Sequence, residues 1–525
     1  MTTELQRELT TLSAGELAEA LAAGSVSATE AVEAHLARIE SVDGALNAVV
    51  VRRFELARRE AAAADARAQA GGPLPPLHGV PIVVKEMFDL EGTAATGGIA
   101  ARVGQLATVD APLVAELRRA GAIVLGKTNV PQMGMLFESD NPVFGRTNNP
   151  WNLERSAGGS SGGDAAIVAA GGAPLALATD GGGSIRQPAH CCGVQGFKPT
   201  AWRLPLVGQL SFPNFRRDWV QPGPLARTVA DLDLALRVMS QAAQRGADPR
   251  VGPTTWPDFR RVDVGKLRIG YYSDDGFFPA STALRRAVDE AAASLRRQGA
   301  TVEAFQPPDV DEACRIYFGV FLADGLAAMR RALAGSPRDW RIAKSLRTAG
   351  LPNFVRPLLA WAAGALGRDY EARLIGWVRR RETPVGEYWQ LIHDESVYRQ
   401  RFLAAMEAQG LDALIAPPYG LPALSHAQWY GTFPGSYCLL YNLLGFPAGT
   451  VAASRVRAGE TERPASRDPA LAAARQVDAG SAGLPVGVQV AARPWRDDLA
   501  LAVMAALERH FRGTAEYPGR PPLEG

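Results

Sequence analysis

Ser156-Ala157-Gly158-Gly159-Ser160-Ser161-Gly162-Gly163-Asp164 and, a little further on, Thr179-Asp180-Gly181-Gly182-Gly183-Ser184-Ile185-Arg186 decide the reading of this chain. Two serines, Ser160 and Ser184, are each embedded in glycine. Glycine frees the backbone to adopt unusual φ/ψ and lets a ligand approach the main chain closely. Two such loops in one segment point to a site built from backbone N–H groups and serine hydroxyls. Upstream lies a third element, Gly79-Val80-Pro81-Ile82-Val83-Val84-Lys85-Glu86, an apolar run that ends on a lysine. Serine, serine and lysine together describe a hydrolase whose base is not histidine.

Lys85 stands out because the 525-residue chain holds few lysines: Lys85, Lys127, Lys198, Lys266 and Lys344. Arginine cannot give up its proton near neutral pH, whereas buried lysine can. Burial beside Val83 and Val84 is expected to depress the Lys85 pKa. A salt bridge to Glu86 is the plainer role for Lys85, and ordinary turn chemistry the plainer role for the serines. Hydrolysing an amide needs a nucleophile, a proton shuttle and donors for the developing oxyanion. Gly181, Gly182, Gly183 and Ser184 form a glycine turn that can supply those donors.

Composition narrows the function classes. Hydrophobic residues make up 47% and charged residues 21%, so a sizeable core is expected rather than disorder. A net charge of +2 gives no electrostatic case for nucleic acid. The four cysteines, Cys191, Cys192, Cys314 and Cys438, lack metal-ligand spacing, and the six histidines lack paired spacing. Neither a metal nor another cofactor is expected. The N-terminus shows no secretion signal and no apolar stretch reaches membrane-spanning length, so a cytoplasmic protein is the expectation.

Along the chain, residues 1–70 read as helices. Ser13-Ala14-Gly15-Glu16 and Ser27-Ala28-Thr29-Glu30 both fit the capping box. From residue 79 to 200 short buried strands and helices alternate, with strands expected at 80–84 and 122–125 and helices at 112–121 and 164–170. A helix follows at 225–240, then strands at 267–272, 411–417 and 485–490. This alternation points to an α/β layer structure. Residues 346–400 read as an inserted helical cap. There Phe354, Leu358, Trp361, Leu374 and Trp377 form an apolar face among Arg368, Arg373, Arg379, Arg380 and Arg381. Such a face packs on the body of the protein, covers a homodimer contact, or rests peripherally on a membrane. Residues 455–483 read as a surface excursion.

Two motifs mislead. Gly121-Ala-Ile-Val-Leu-Gly126-Lys127-Thr128 satisfies the phosphate-loop pattern, but Ala122-Ile123-Val124-Leu125 favours a buried strand, not a flexible cradle. Gly158-Gly159-Ser160-Ser161-Gly162 fits a nucleophile elbow, which should follow a strand and needs a histidine. The residues before it are polar and turn-like. His190, His393, His426 and His510 lie downstream; His393 has acidic neighbours in Asp394 and Glu395, but it reads as part of a polar helix.

Taken whole, residues 158–200, including Gly-Phe-Lys-Pro-Thr at 196–200, resemble the amidase signature family, and 79–85 resembles its catalytic-lysine strand. Lys127-Thr128-Asn129, Asn148-Asn149-Pro150-Trp151 and Pro485-Val486-Gly487-Val488-Gln489 extend the resemblance over nearly the whole chain. Residues 137–145, 436–442 and 446–449 resemble its fatty-acid amide hydrolase branch. The resemblance implies one large domain, a mixed twisted sheet sandwiched between helices with a helical cap. It implies Ser184 as nucleophile, Ser160 as a bridging serine with a cis peptide, and Lys85 as base. It further implies an oxyanion hole at Gly181–Ser184 and substrate contacts at Met133, Gly134 and Met135. Gly181 stands where many relatives carry a bulkier residue, which is expected to loosen the loop. The implied partner is a small amide or related acyl substrate, such as an ester or carbamate. The competing readings are a non-catalytic protein on the same fold and one component of a glutamine-dependent amidotransferase.

Overall fold

A computed structural model describes residues 3–212, 216, 218–350, 352–377, 382–426 and 433–523. Its centre is an eleven-stranded mixed sheet flanked by helices. From edge to edge the strands are Val49–Arg52, Ile123–Thr128, Pro81–Lys85, Leu175–Asp180, Gln221–Ala226, Gln195–Lys198, Ala448–Arg455, Pro485–Ala492, Ala413–Ala416, Arg268–Tyr271 and Thr301–Ala304. Pro81–Lys85 runs parallel to both its neighbours, while Gln221–Ala226 runs antiparallel to its own. The inner strands Pro81–Lys85, Ile123–Thr128, Leu175–Asp180 and Ala413–Ala416 are buried along their whole length. A strand covered on both faces reads as an unbroken apolar run, which is why Pro81–Lys85, Ile123–Thr128 and Ala413–Ala416 were visible in the sequence, whereas Leu175–Asp180 was not expected. The edge strand Thr301–Ala304 buries only Val302.

Capping works locally as the sequence indicates. Ser13 caps Ala14–Ala22 and Ser27 caps Ala28–Leu46, each through a reciprocal bond with Glu16 or Glu30. Yet the first seventy residues are not all helix, because Val49–Arg52 forms the sheet edge beside Ile123–Thr128. That neighbour runs three residues past the expected end at 125. The helix expected at 225–240 is present as Val229–Gln244, but residues 225 and 226 belong to the strand Gln221–Ala226 before it. Pro222, Gly223 and Pro224 argue against an inner strand, since proline donates no ladder bond. Here the glycine is required: a Cβ on Gly223 would lie 2.0 Å from the Phe197 carbonyl oxygen. Residues 455–483 are more than a surface excursion. They carry the helix Pro469–Ala479, which buries Ala474 and Val477 and bonds Arg463 to Asp478 at 2.7 Å.

Helices already occupy the chain before residue 346, where the helical cap was expected to begin. Helices Ala327–Ala332 and Trp340–Ala349 bury Met329, Ile342 and Leu346 in a small apolar cluster with Met87, Met133 and Phe212. Helices Arg356–Ala365, Asp369–Trp377 and Val385–Ala408 follow. The expected single apolar face divides in two. Trp377 stacks on Phe318 with ring centroids 5.2 Å apart, and Leu374 packs on the core. Phe354 and Trp361 point outward, 84% and 70% exposed, with Leu358 beside them. Arg368 pairs with Glu371 and Arg373 with Asp311; Arg379, Arg380 and Arg381 lie outside the described residues. Among the described residues, no helix is long and apolar enough to cross a membrane.

Candidate active site

Lys85 ends the inner strand Pro81–Lys85, so the sheet itself fixes the direction of its side chain. It is fully buried. Its Nζ lies 2.7 Å from Ser160 Oγ, 2.9 Å from Ser161 Oγ and 3.2 Å from the Thr179 carbonyl oxygen. The salt bridge to Glu86 does not form. Glu86 instead accepts from the N–H groups of Thr96 and Gly97 at 2.6 and 2.8 Å. Among the described residues no carboxylate comes within ion-pair distance of Lys85. Burial pushes the Lys85 pKa down to about 8, against the opposing pull of Asp164 and Asp180. Three neighbours suit either protonation state. An ammonium donates to all three, whereas a neutral amine donates to Ser161 and Thr179 and accepts from the Ser160 hydroxyl.

Asp164 sits in the first turn of the helix Gly162–Ala169. Burial raises its pKa and Lys85 opposes the rise. Thr128 Oγ1 donates to Asp164 Oδ1 at 2.6 Å, while Asp164 Oδ2 is buried without a hydrogen-bond partner among the described residues. The Gly159–Ser160 peptide bond is cis. Ser139 braces this loop by donating to the Gly158 carbonyl oxygen at 3.0 Å and accepting from the Gly162 N–H at 3.0 Å.

Ser184 lies in the turn after the strand Leu175–Asp180. A buried ion pair, Asp180–Arg186, holds that turn. Asp180 accepts from the backbone N–H groups of Gly183 at 2.8 Å and Ile185 at 3.1 Å, and from Arg186 Nε at 2.9 Å. Burial alone would raise the Asp180 carboxyl. The Arg186 guanidinium, with hydrogen bonds from Arg186 and Asn442, instead holds it well below the usual carboxylate range. Of the four expected oxyanion donors, the Gly183 N–H is thus already engaged. The Ser161 N–H donates to the Ser184 carbonyl oxygen at 3.1 Å and ties the two serine loops together. Among the described residues Ser184 Oγ has no hydrogen-bond partner.

Ser160, Gly181, Gly182 and Ser184 open onto one cavity of about 110 Å³, together with Met133, Gly134 and Met135. Lys85 lies behind Ser160, out of contact with the cavity. Sequence reasoning missed most of the wall: Met87, Phe137, Phe212, Tyr317, Phe318, Phe321 and Leu439 also line it. No charged side chain is among the described lining residues, and no histidine. These apolar residues come from scattered elements and carry no motif, so only the fold brings them together.

The misleading motifs resolve physically. Gly126 is a strand residue whose added Cβ would lie 2.4 Å from the Val51 carbonyl oxygen. Lys127 is buried and donates to the Ala94 carbonyl oxygen at 2.6 Å. A short strand, Asn152–Ser156, does precede the Ser160 loop, contrary to the turn-like expectation. The elbow still lacks its histidine. His190 is held through both ring nitrogens, by the Leu421 carbonyl oxygen and the Gly487 N–H, and burial lowers its pKa to about 4.

The amidase family model matches residues 30–501. The chain belongs to the amidase family. Fatty-acid amide hydrolase 1 of Sus scrofa is 35% identical to this amidase over 456 residues, covering 85% of this chain and 77% of that protein. A glutamyl-tRNA(Gln) amidotransferase component of Acidothermus cellulolyticus is 34% identical over 529 residues, covering 97% of this chain and 95% of that protein. A solved structure of fatty acid amide hydrolase superposes with a TM-score of 0.84 at 25% identity, covering 98% of this chain and 87% of that one. This amidase is a hydrolase of carbon–nitrogen bonds other than peptide bonds, on a single mixed-sheet domain.

Proposed function

We propose that this amidase cleaves acyl amides with an apolar or aryl acyl group through a Ser184–Ser160–Lys85 relay and an acyl-enzyme. The observation that carries the relay is the buried Lys85 amine, 2.7 Å from Ser160 Oγ and free of any described carboxylate contact, beneath a cavity that also holds Ser184. Neutral Lys85 takes the Ser160 proton as Ser160 takes that of Ser184. Ser184 Oγ then attacks the acyl carbon. Reversal of the relay delivers the proton to the departing nitrogen, and water afterwards releases the acyl group by the same path. The N–H groups of Gly181, Gly182 and Ser184 receive the oxyanion, while Gly183 anchors the turn on Asp180. Esters and carbamates present the same carbonyl to this machinery.

The uncharged aromatic wall favours an apolar acyl group over glutamine, whose ammonium and carboxylate would each need a partner there. The test is a panel of amides of varied acyl length. Ser184→Ala should abolish turnover. Lys85→Ala should lower it by roughly 10²–10⁴ at pH 7, the usual worth of a general base, with the far-UV dichroism unchanged. Near-wild-type turnover by either variant would overturn the assignment.

The outward face of Phe354, Leu358 and Trp361 forms, in this reading, a peripheral contact with a lipid surface. Serine at Phe354 and Trp361 should weaken binding to anionic vesicles without lowering the melting temperature. No vesicle binding by the wild type, or a dimer that these changes dissolve, would replace the lipid with a second copy of the chain.

A further inference from the structure

We propose that Tyr317 is a positioning residue for the oxyanion donors, its hydroxyl setting the direction of the Gly182 N–H. This inference rests on the relay proposed above. Tyr317 OH donates to the Gly181 carbonyl oxygen at 2.8 Å. In a trans peptide the carbonyl of one residue and the N–H of the next point in opposite directions in one rigid plane. Holding the Gly181 oxygen therefore aims the Gly182 N–H away from the tyrosine. Nothing else described holds that peptide, which lies in a glycine run with no side chain to steady it. Its neighbour is fixed separately, by the Gly183 N–H on Asp180.

The tyrosine is itself held from the cap side. Its ring stacks on Trp219, with centroids 4.4 Å apart and planes 18° apart. The Trp219 indole N–H donates to Glu395 at 3.0 Å, and Glu395 belongs to the helix Val385–Ala408. Glu395 is buried and also accepts from Arg216 at 2.5 Å. The Trp219 carbonyl oxygen accepts from Asn442, which donates to Asp180 as well. Thus Tyr317 reaches the loop from one side and Asp180 from the other, through partners that share Trp219 and Asn442. Tyr317 also stands one helical turn before Phe321, and both line the cavity. The helix Val310–Phe321 accordingly presents one face to the acyl group and, through the Tyr317 hydroxyl, to the donor loop. Misaiming a donor by a fraction of an ångström costs catalysis and not ground-state binding, because the oxyanion forms only at the transition state.

The experiment compares wild type with Tyr317→Phe and Tyr317→Leu on one apolar acyl amide, with an acyl boronate as the tetrahedral mimic. Tyr317→Phe keeps the ring and its stack and removes only the hydroxyl. Expected are a kcat roughly ten-fold lower, a KM within two-fold, and boronate affinity weakened by the same factor as kcat. Wild-type kcat and boronate affinity in Tyr317→Phe would overturn the proposal, as would a loss confined to KM. Damage appearing only in Tyr317→Leu would mean that the ring merely packs. An inactive wild type, or a fully active Ser184→Ala, would instead overturn the relay itself.

Discussion

Replacing Arg186 by glutamine tests what holds the Ser184 turn. Arg186 and Asp180 are both completely buried, 2.9 Å apart. Arg186 also donates to Gln489 at 2.7 Å and Asn442 at 2.5 Å. The substitution strands a carboxylate whose remaining donors are the backbone N–H groups of the turn and the Asn442 amide. Breaking a buried pair by removing one partner costs about 3–5 kcal/mol. With an unfolding entropy of about 2.1 cal/mol/K per residue, 525 residues give about 1.1 kcal/mol/K at the midpoint. The melting temperature should therefore fall by about 3–5 °C. Because Asp180 anchors Gly183 and Ile185, turnover should fall much further than so small a thermal shift implies. The pH dependence has a definite sign. Asp180 is depressed in the folded state, so the stability it contributes is present above its ordinary value of 3.8 and is lost as pH falls below it. The gap between wild type and variant should narrow below that pH. Melting curves and amide turnover across pH would read all three effects. A melting temperature within 1 °C of wild type, with turnover within two-fold, would refute the reasoning.

Other expectations concern the base and the loop. Asp164 pulls the Lys85 pKa upward, so Asp164→Asn should move the rising limb of the pH–rate profile below its expected position near 8; an unmoved limb, or a shift to higher pH, counts against a neutral-lysine base. A Cβ on Gly181 would lie 2.9 Å from Val220 Cγ2, and Val220 lines the cavity. Gly181→Ala should lower kcat/KM, and adding Val220→Ala should restore most of the loss; failure of the double variant to recover would place the fault in the loop itself.

The parts legible in sequence were those whose chemistry is local. Lys85, Ser160 and Ser184 each carry a motif, and the motifs name their neighbours. The inner strand Pro81–Lys85 was visible because burial on both faces leaves an unbroken apolar run. Gln221–Ala226 was hidden because its two prolines and a glycine obey a tertiary demand, the close approach of Phe197, over local propensity. Val49–Arg52 was hidden by brevity and by the strong helices on either side. In the cap, sequence periodicity found the apolar side chains but could not assign them: Trp377 turns inward to Phe318 while Trp361 faces out. The cavity wall was illegible for the same reason, since Phe137, Phe212, Tyr317 and Leu439 meet only through the fold. Tyr317 had no sequence signal at all; its part depends on one carbonyl oxygen across the site.

The central claim is that Ser184 is made nucleophilic by a neutral Lys85 acting through Ser160. Labelling with a fluorophosphonate, followed by peptide mapping, tests it most directly. The account predicts a single adduct on Ser184, a labelling rate that rises with pH through about 8, and a loss of roughly 10² or more in Lys85→Ala. An adduct on another residue, or a Lys85→Ala variant labelled at the wild-type rate, would contradict it.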